Sequence, residues 1–110
     1  MDFQFEQEWR QTLEKAGTMY GEALDLTALL FLIGVQELGQ GYRTFKKDEK
    51  VALMHVAICT LLEPYGYYKL EGRDQDDWPH WTKSDALPEL APPQQERLIK
   101  EAAIEYFKKY

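Results

Sequence analysis

The chain is short, acidic and evenly mixed in character. Its 110 residues leave room for one domain, which we expect to span residues 1–110. A composition of 45% hydrophobic and 29% charged residues is typical of a globular domain and excludes a disordered chain. The chain has 13 Lys and Arg residues and 19 Asp and Glu residues, so its net charge is −6. This charge argues against nucleic acid as a partner, because a phosphate backbone is bound by a basic surface.

Neither a membrane nor an oxidising compartment suits this sequence. The longest apolar run, Leu26 to Val35, has ten residues, whereas a membrane-spanning helix needs about 20. Cys59 is the single cysteine, so no internal disulfide can form. Residues 1–6 are acidic, where a signal peptide would be basic and then apolar. We therefore expect a soluble cytoplasmic protein with no membrane partner.

The first predicted helix is amphipathic and runs from about Phe3 to Ala16. Asp2 is a suitable N-cap, and Gly17 or Gly21 a suitable stop. One stripe of the helix carries the apolar side chains, at spacings of three and four: Phe5, Trp9, Leu13, Ala16 and Tyr20. This face is expected to pack against the core.

The second and third predicted helices are apolar on nearly every side. The second runs from near Asp25 to Gly39 or Gly41; a buried strand is the competing interpretation, but the length of the run favours a helix. The third begins around Lys46–Asp48 and ends at Glu63, before Pro64. A helix that is apolar all round is typically buried, so we expect these two to form the centre of the domain.

The stretch from Tyr65 to Ala91 has no helical period. Within it, residues 67–70 could be a short extended piece, and Ser84 to Leu90 could include a helical turn. A last amphipathic helix follows Pro92-Pro93. The pattern predicts an all-α protein: a small four-helix bundle-like domain with a long irregular loop between the third and last helices.

Potential ligand-binding residues concentrate in the irregular stretch, between Glu71 and Trp81. The candidate ligand or partner site comprises Asp74, Asp76, Asp77, Trp78, His80 and Trp81. Asp74 and Asp76 alternate as the first ligands of a calcium-binding loop do, but Pro79 occupies the position where that loop needs glycine. The alternative interpretation is a solvated acidic turn whose two indoles cover the helical core.

A second pair, His55 and Cys59, has the i,i+4 spacing that two metal ligands could use. The neighbouring sequence supplies no third and fourth ligand of the kind that zinc requires. Both residues also lie in an apolar stripe, which favours a hydrogen-bonded core histidine and a buried thiol. We therefore predict no metal, no cofactor and no catalytic residue.

Three segments carry a family resemblance: Leu30–Gly39, Leu53–Leu62 and Trp78–Trp81. Together they resemble a small family of uncharacterised helical proteins of Bacteroidetes-type bacteria, over most of the chain. The resemblance implies a bacterial, cytoplasmic helical protein. It implies no activity and transfers no catalytic residue.

Two functions remain open on these grounds. The first is a non-enzymatic interaction protein, a homo-oligomer or a subunit bound to another protein, because two helices that are apolar all round leave surplus apolar surface. The second is a small-molecule or metal-binding protein, or an enzyme, with its site at the Glu71–Trp81 loop. The sequence favours the first, with self-association as a dimer.

Overall fold

The computed structural model describes residues 2–41 and 43–110, and it corrects the predicted fold class. The described residues form four helices and a two-stranded antiparallel sheet, so the protein is mixed α/β and the all-α helical bundle is wrong. In chain order the elements are α1 (Phe3–Tyr20), α2 (Leu26–Leu38), α3 (Lys47–Leu62), a single 3₁₀ turn (Glu63–Tyr65), β1 (Tyr68–Arg73), β2 (Pro79–Lys83) and α4 (Pro92–Phe107).

The unpredicted element is the hairpin formed by β1 and β2. Its register pairs Tyr68 with Lys83 and Leu70 with Trp81, and a bulge at Glu71 then shifts the pairing so that Gly72 opposes His80. The extended piece predicted at residues 67–70 is therefore the start of β1. Its partner strand was missed because antiparallel pairing joins residues that are distant in sequence, and no tight two-residue turn marks the connection.

The predicted helix ends agree with the structure to within a few residues. Asp2 caps α1, as predicted, because its Oδ1 accepts a hydrogen bond from Phe5 N at 3.0 Å. The helix continues past Ala16 and Gly17 and stops at Gly21, whose φ of 78° lies in the left-handed region that glycine tolerates. The possible helical turn after Ser84 is instead a simple turn, closed by a hydrogen bond from Leu87 N to Ser84 O.

The described chain divides into two compact units. The terminal unit comprises Met1–Leu29 and Leu90–Tyr110, and the central unit is Leu30–Glu89. In the terminal unit α1 and α4 lie side by side and run in the same direction. Arg97, near the start of α4, binds Asp2 at 2.8 Å, whereas Lys15, near the end of α1, donates to Phe107 O at 2.6 Å.

In the central unit, α2 and α3 approach each other closely at Gly34. A Cβ atom at this position would overlap the carbonyl oxygen of Leu53, so only glycine fits without a shift of backbone. Around this contact lies a core of four buried side chains, against which two further aromatic side chains pack: Val35, Leu38, Phe45 and Leu53, with Phe31 and Trp78. In the described part of the chain, no helix combines the length and apolarity needed to cross a membrane.

Candidate functional site

The turn of the hairpin is organised by Asp74. Its backbone N–H donates to Trp78 O at 2.9 Å, and its carbonyl accepts from Asp77 N at 3.0 Å. Its side-chain Oδ1 accepts from the backbone N–H groups of Asp76 and Trp78, at 2.9 and 3.0 Å. A carboxylate that binds backbone donors in its own turn is a common way to fix a loop, and this explains how an acidic segment adopts one conformation.

His80 forms a hydrogen bond with the second oxygen of the same carboxylate. Its Nε2 lies 2.9 Å from Asp74 Oδ2 and must be the donor, because an ionised carboxylate can only accept. The hydrogen bond from His80, followed by that from the Trp78 backbone N–H, lowers the pKa of Asp74 below its ordinary value. Both oxygens of Asp74 are therefore engaged within the hairpin.

The tip of the hairpin is anchored to the end of α2. The guanidinium of Arg73 donates to the backbone carbonyls of Leu38 and Glu37, at 3.2 and 3.1 Å, and to Asp77 O at 2.8 Å. Gln40 Nε2 adds a hydrogen bond to Asp76 O at 2.8 Å. The last carbonyls of a helix have no partner within the helix, so Arg73 satisfies α2 and fixes the hairpin at the same time.

Trp78 and Trp81 lie on the side of the hairpin that faces α3. Trp78 packs against the central core described above, which holds its ring in place. Trp81 is half-buried, and Leu70 is its cross-strand partner. The Trp78 indole therefore covers part of the core, as the alternative interpretation of this segment expected, whereas Trp81 is covered only in part.

Between α3 and the hairpin lies a cavity of about 320 Å³, which we call the α3–hairpin cleft. Three of its lining residues come from α3 and five from the hairpin: Ala52, His55 and Val56, with Asp74, Trp78, Pro79, His80 and Trp81. Binding sites for small molecules typically enclose about 300–1,000 Å³, so the cleft is at the lower end of that range. Its walls combine aromatic and aliphatic surface with two imidazoles.

One buried polar atom of a cleft residue lacks a hydrogen-bond partner. The indole Nε1 of Trp81 is buried and has no hydrogen-bond acceptor among the residues that the structure describes. A buried donor without an acceptor costs about 1–3 kcal/mol, and such atoms are rare in folded proteins.

The structure changes the interpretation of His55 and confirms that of Cys59. His55 was expected in the core but is exposed: it lines the cleft, and its ring meets that of Tyr68 edge-on at 6.2 Å. Cys59 is fully buried, 3.4 Å from His55 Nε2, and burial raises the pKa of its thiol to about 12. The thiol therefore stays protonated at neutral pH, which does not suit a nucleophile or a metal ligand.

The structure brings together four of the six predicted site residues. Asp74, Trp78, His80 and Trp81 line the cleft, whereas the side chains of Asp76 and Asp77 are exposed and lie outside its lining. Three lining residues on α3 and Pro79 were not among the predicted site residues. No sequence pattern could identify Ala52 and Val56, because they are apolar residues of a helix and become part of a site only where the hairpin lies over them. Within residues 2–41 and 43–110, no three His, Cys, Asp or Glu side chains form a group that could hold a metal ion.

Comparisons with protein-family models, with curated proteins and with solved structures gave no match. The bacterial family resemblance noted from the sequence therefore stays a prediction.

Proposed function

We propose that this protein is a binding module that takes a small ligand in the α3–hairpin cleft. The observation that carries the proposal is the cleft itself, a cavity of about 320 Å³ whose walls carry the indoles of Trp78 and Trp81 and the imidazoles of His55 and His80.

The rigidity of the walls supports binding. Trp78 is held by the core, Asp74 by three hydrogen bonds, and the hairpin tip by Arg73. A preformed site binds more tightly because little conformational freedom is lost when the ligand enters.

The chemistry of the cleft favours binding over catalysis. Asp74 has both oxygens occupied by donors of its own hairpin, so it is poorly placed to act as a general base. Cys59 is shielded and protonated, so it is a poor nucleophile. The proposal is therefore non-enzymatic recognition, without a cofactor.

Indole NMR signals provide the test. In ¹⁵N-labelled protein, small aromatic fragments that enter the cleft should shift the Nε1–H signals of Trp78 and Trp81 and leave that of Trp9 unchanged. Ala52→Leu should abolish these shifts, because the larger side chain fills the cleft. Ala86→Leu is the matched control, an exposed alanine outside the lining. If fragments left both cleft indoles unchanged, or bound Ala52→Leu as well as the parent, the proposal would be wrong.

A second candidate is self-association, as the sequence suggested. Val51 is 65% exposed one helical turn before His55 on α3, and Leu70 is 41% exposed opposite Trp81 on the hairpin. Exposed large apolar side chains beside a cleft are typical of protein contact surfaces. Light scattering coupled to size exclusion tests this proposal. A dimer is supported if the parent protein has twice the chain mass of 12.9 kDa and the Val51→Lys variant has the monomer mass. A monomer mass for the parent at micromolar concentration contradicts it.

A further inference from the structure

The outer edge of β1 is an unpaired strand edge. Among the described residues the sheet has two strands, so each strand pairs on one side and is open on the other. Directly before β1, Tyr67 O accepts a hydrogen bond from Ser84 N, so the backbone groups of Tyr67 point toward the second strand. Because these groups alternate in direction along a strand, those of Tyr68 and Leu70 point away from β2. An edge of this kind can pair with another strand.

Of the two outer edges, that of β1 is the more open. Five of the six residues of β1 are exposed. On β2, Pro79 follows Trp78, whose carbonyl points inward to accept from Asp74 N, so the nitrogen of Pro79 lies on the outer edge. A proline nitrogen carries no hydrogen to donate, and this interrupts pairing along the outer edge of β2.

The side chains around Leu70 are complementary to their own copy. Leu70 is 41% exposed, and it stands between Lys69 and Glu71, one positive and one negative. Both charged side chains are exposed, and neither forms an ion pair with another residue in the described part of the chain. Opposite charges on either side of a central apolar residue match an identical strand that runs in the opposite direction.

We infer that β1 pairs antiparallel with β1 of a second copy of this chain, about a two-fold axis at Leu70. The two Leu70 side chains then lie opposite each other, and Lys69 of each copy lies opposite Glu71 of the other. The registers two residues away place lysine opposite lysine or glutamate opposite glutamate, which is unfavourable. The charges therefore select a single register.

This pairing closes as a dimer. The bulge at Glu71 increases the local twist and ends regular pairing, and Pro79 keeps the opposite edge of the hairpin from adding a further strand. The inference rests on self-association, the second candidate function, to which it gives a surface and a register. It does not depend on ligand binding in the α3–hairpin cleft.

Reversal of charge tests the register, with the mass followed by light scattering between about 1 and 100 µM. Neutral replacement is too weak a test, because an exposed ion pair contributes little. Lys69→Glu instead places like charges opposite each other at both positions, so the dissociation constant of the dimer should rise at least about tenfold, and Glu71→Lys should do the same. Lys83→Glu makes the same charge change on an exposed lysine of β2 and should leave the dimer unchanged.

Mixing the two variants provides the most specific result. Lys69→Glu and Glu71→Lys, each weakened alone, should form a heterodimer in a 1:1 mixture, because every opposed pair then carries opposite charges. The double variant with both substitutions should associate with itself as the parent does. Damage to the fold by either substitution would not be repaired by mixing.

The outcomes separate this pairing from self-association in general. A dimer that Val51→Lys dissociates, but that Lys69→Glu and Glu71→Lys leave intact, overturns pairing at β1 and leaves self-association through α3. Absence of a heterodimer in the mixture, with both variants folded by circular dichroism, also overturns the inference. A parent that is monomeric at about 100 µM overturns self-association as well. The indole signals report on ligand binding separately.

Discussion

At the scale of single residues, Gly34 shows how one missing side chain sets the distance between two helices. Alanine normally favours a helix over glycine by about 1 kcal/mol. Here the new methyl group would collide with the backbone carbonyl of Leu53, which cannot rotate away as a flexible side chain could. The steric cost should therefore exceed the gain in helix propensity.

We predict that Gly34→Ala lowers the free energy of unfolding by about 1–3 kcal/mol, the usual cost of overpacking a core. Urea unfolding followed by circular dichroism measures it. Thr27→Ala, an exposed site in the same helix, is the control and should change stability by less than about 0.5 kcal/mol. Unchanged or raised stability in Gly34→Ala would show that α2 and α3 are further apart than the structure has them.

Cys59 is a second residue whose environment determines its chemistry. Burial raises the pKa of its thiol to about 12, so the thiolate fraction at pH 8 falls by about a thousandfold. We predict that a soluble thiol reagent modifies the native protein at least about a hundredfold more slowly than the protein unfolded in urea. Native and unfolded rates within a few-fold of each other would mean that Cys59 is accessible.

At the scale of elements, the hairpin depends on the side chains that attach it to α2. Arg73 is the main attachment, because its planar guanidinium reaches two helix-terminal carbonyls and one carbonyl of the turn. A lysine ammonium is a single point charge and cannot reproduce this fork. Each such hydrogen bond contributes about 0.5–1.5 kcal/mol to stability.

We therefore predict that Arg73→Lys lowers the free energy of unfolding by about 1–2 kcal/mol. Hydrogen exchange should locate the loss, with faster exchange of the amides of β1 and β2 and unchanged exchange in α1. Lys69→Ala, an exposed basic residue on β1, is the control and should leave exchange in the hairpin unchanged. Uniformly faster exchange throughout the chain would contradict an anchoring role confined to the hairpin.

At the scale of the whole molecule, stability should fall in acid. Three carboxyl groups, those of Asp2, Glu49 and Asp74, have lowered pKa values, and the main cause in each is a hydrogen bond that the ionised form accepts. The donor is Phe5 N–H for Asp2, Lys46 N–H for Glu49 and the His80 imidazole for Asp74. A carboxyl group with a lowered pKa in the folded state stabilises that state above its ordinary pKa. This contribution is lost as pH falls through the lowered value.

We predict that the melting temperature declines between about pH 5 and pH 2, and that Asp2→Asn makes the decline shallower. Asparagine can still cap α1 but does not titrate, so the helix cap is preserved while one ionisable group is removed. Thermal unfolding followed by circular dichroism gives both curves. An Asp2→Asn curve parallel to that of the parent would show that ionisation of Asp2 contributes nothing to acid stability.

The predicted dimer was based on a surplus of apolar surface on the second and third helices, and the structure reduces that surplus. Most apolar side chains of α2 and α3 are buried in the single chain, including Leu29, Ile33, Leu53, Cys59 and Leu62. The surplus of apolar surface is therefore smaller than the helical pattern suggested and centres on a few exposed residues such as Val51. The dimer stays a prediction, now with a smaller surface to support it.

The sequence by itself determined the helices, because their causes are local. Asp2 caps the first, Gly21 and Gly39 follow the ends of the first and second, Pro92 opens the last, and apolar periodicity identifies the faces. It also predicted a candidate site within the Glu71–Trp81 segment, and that site stays a prediction. These features depend on neighbours within a few positions along the chain.

Only the tertiary structure decided the sheet and the cleft. Tyr68 pairs with Lys83 across fifteen positions, and Arg73 reaches carbonyls of α2 that are thirty-five and thirty-six positions away, so neither contact leaves a periodic trace in the sequence. The same holds for the site: Asp74 and His80 meet because the strands pair, and Trp81 comes to share a cleft with His55 because the hairpin lies on α3. Local patterns specify backbone conformation, whereas a binding site requires side chains from distant segments to converge, and convergence is a property of the packed chain.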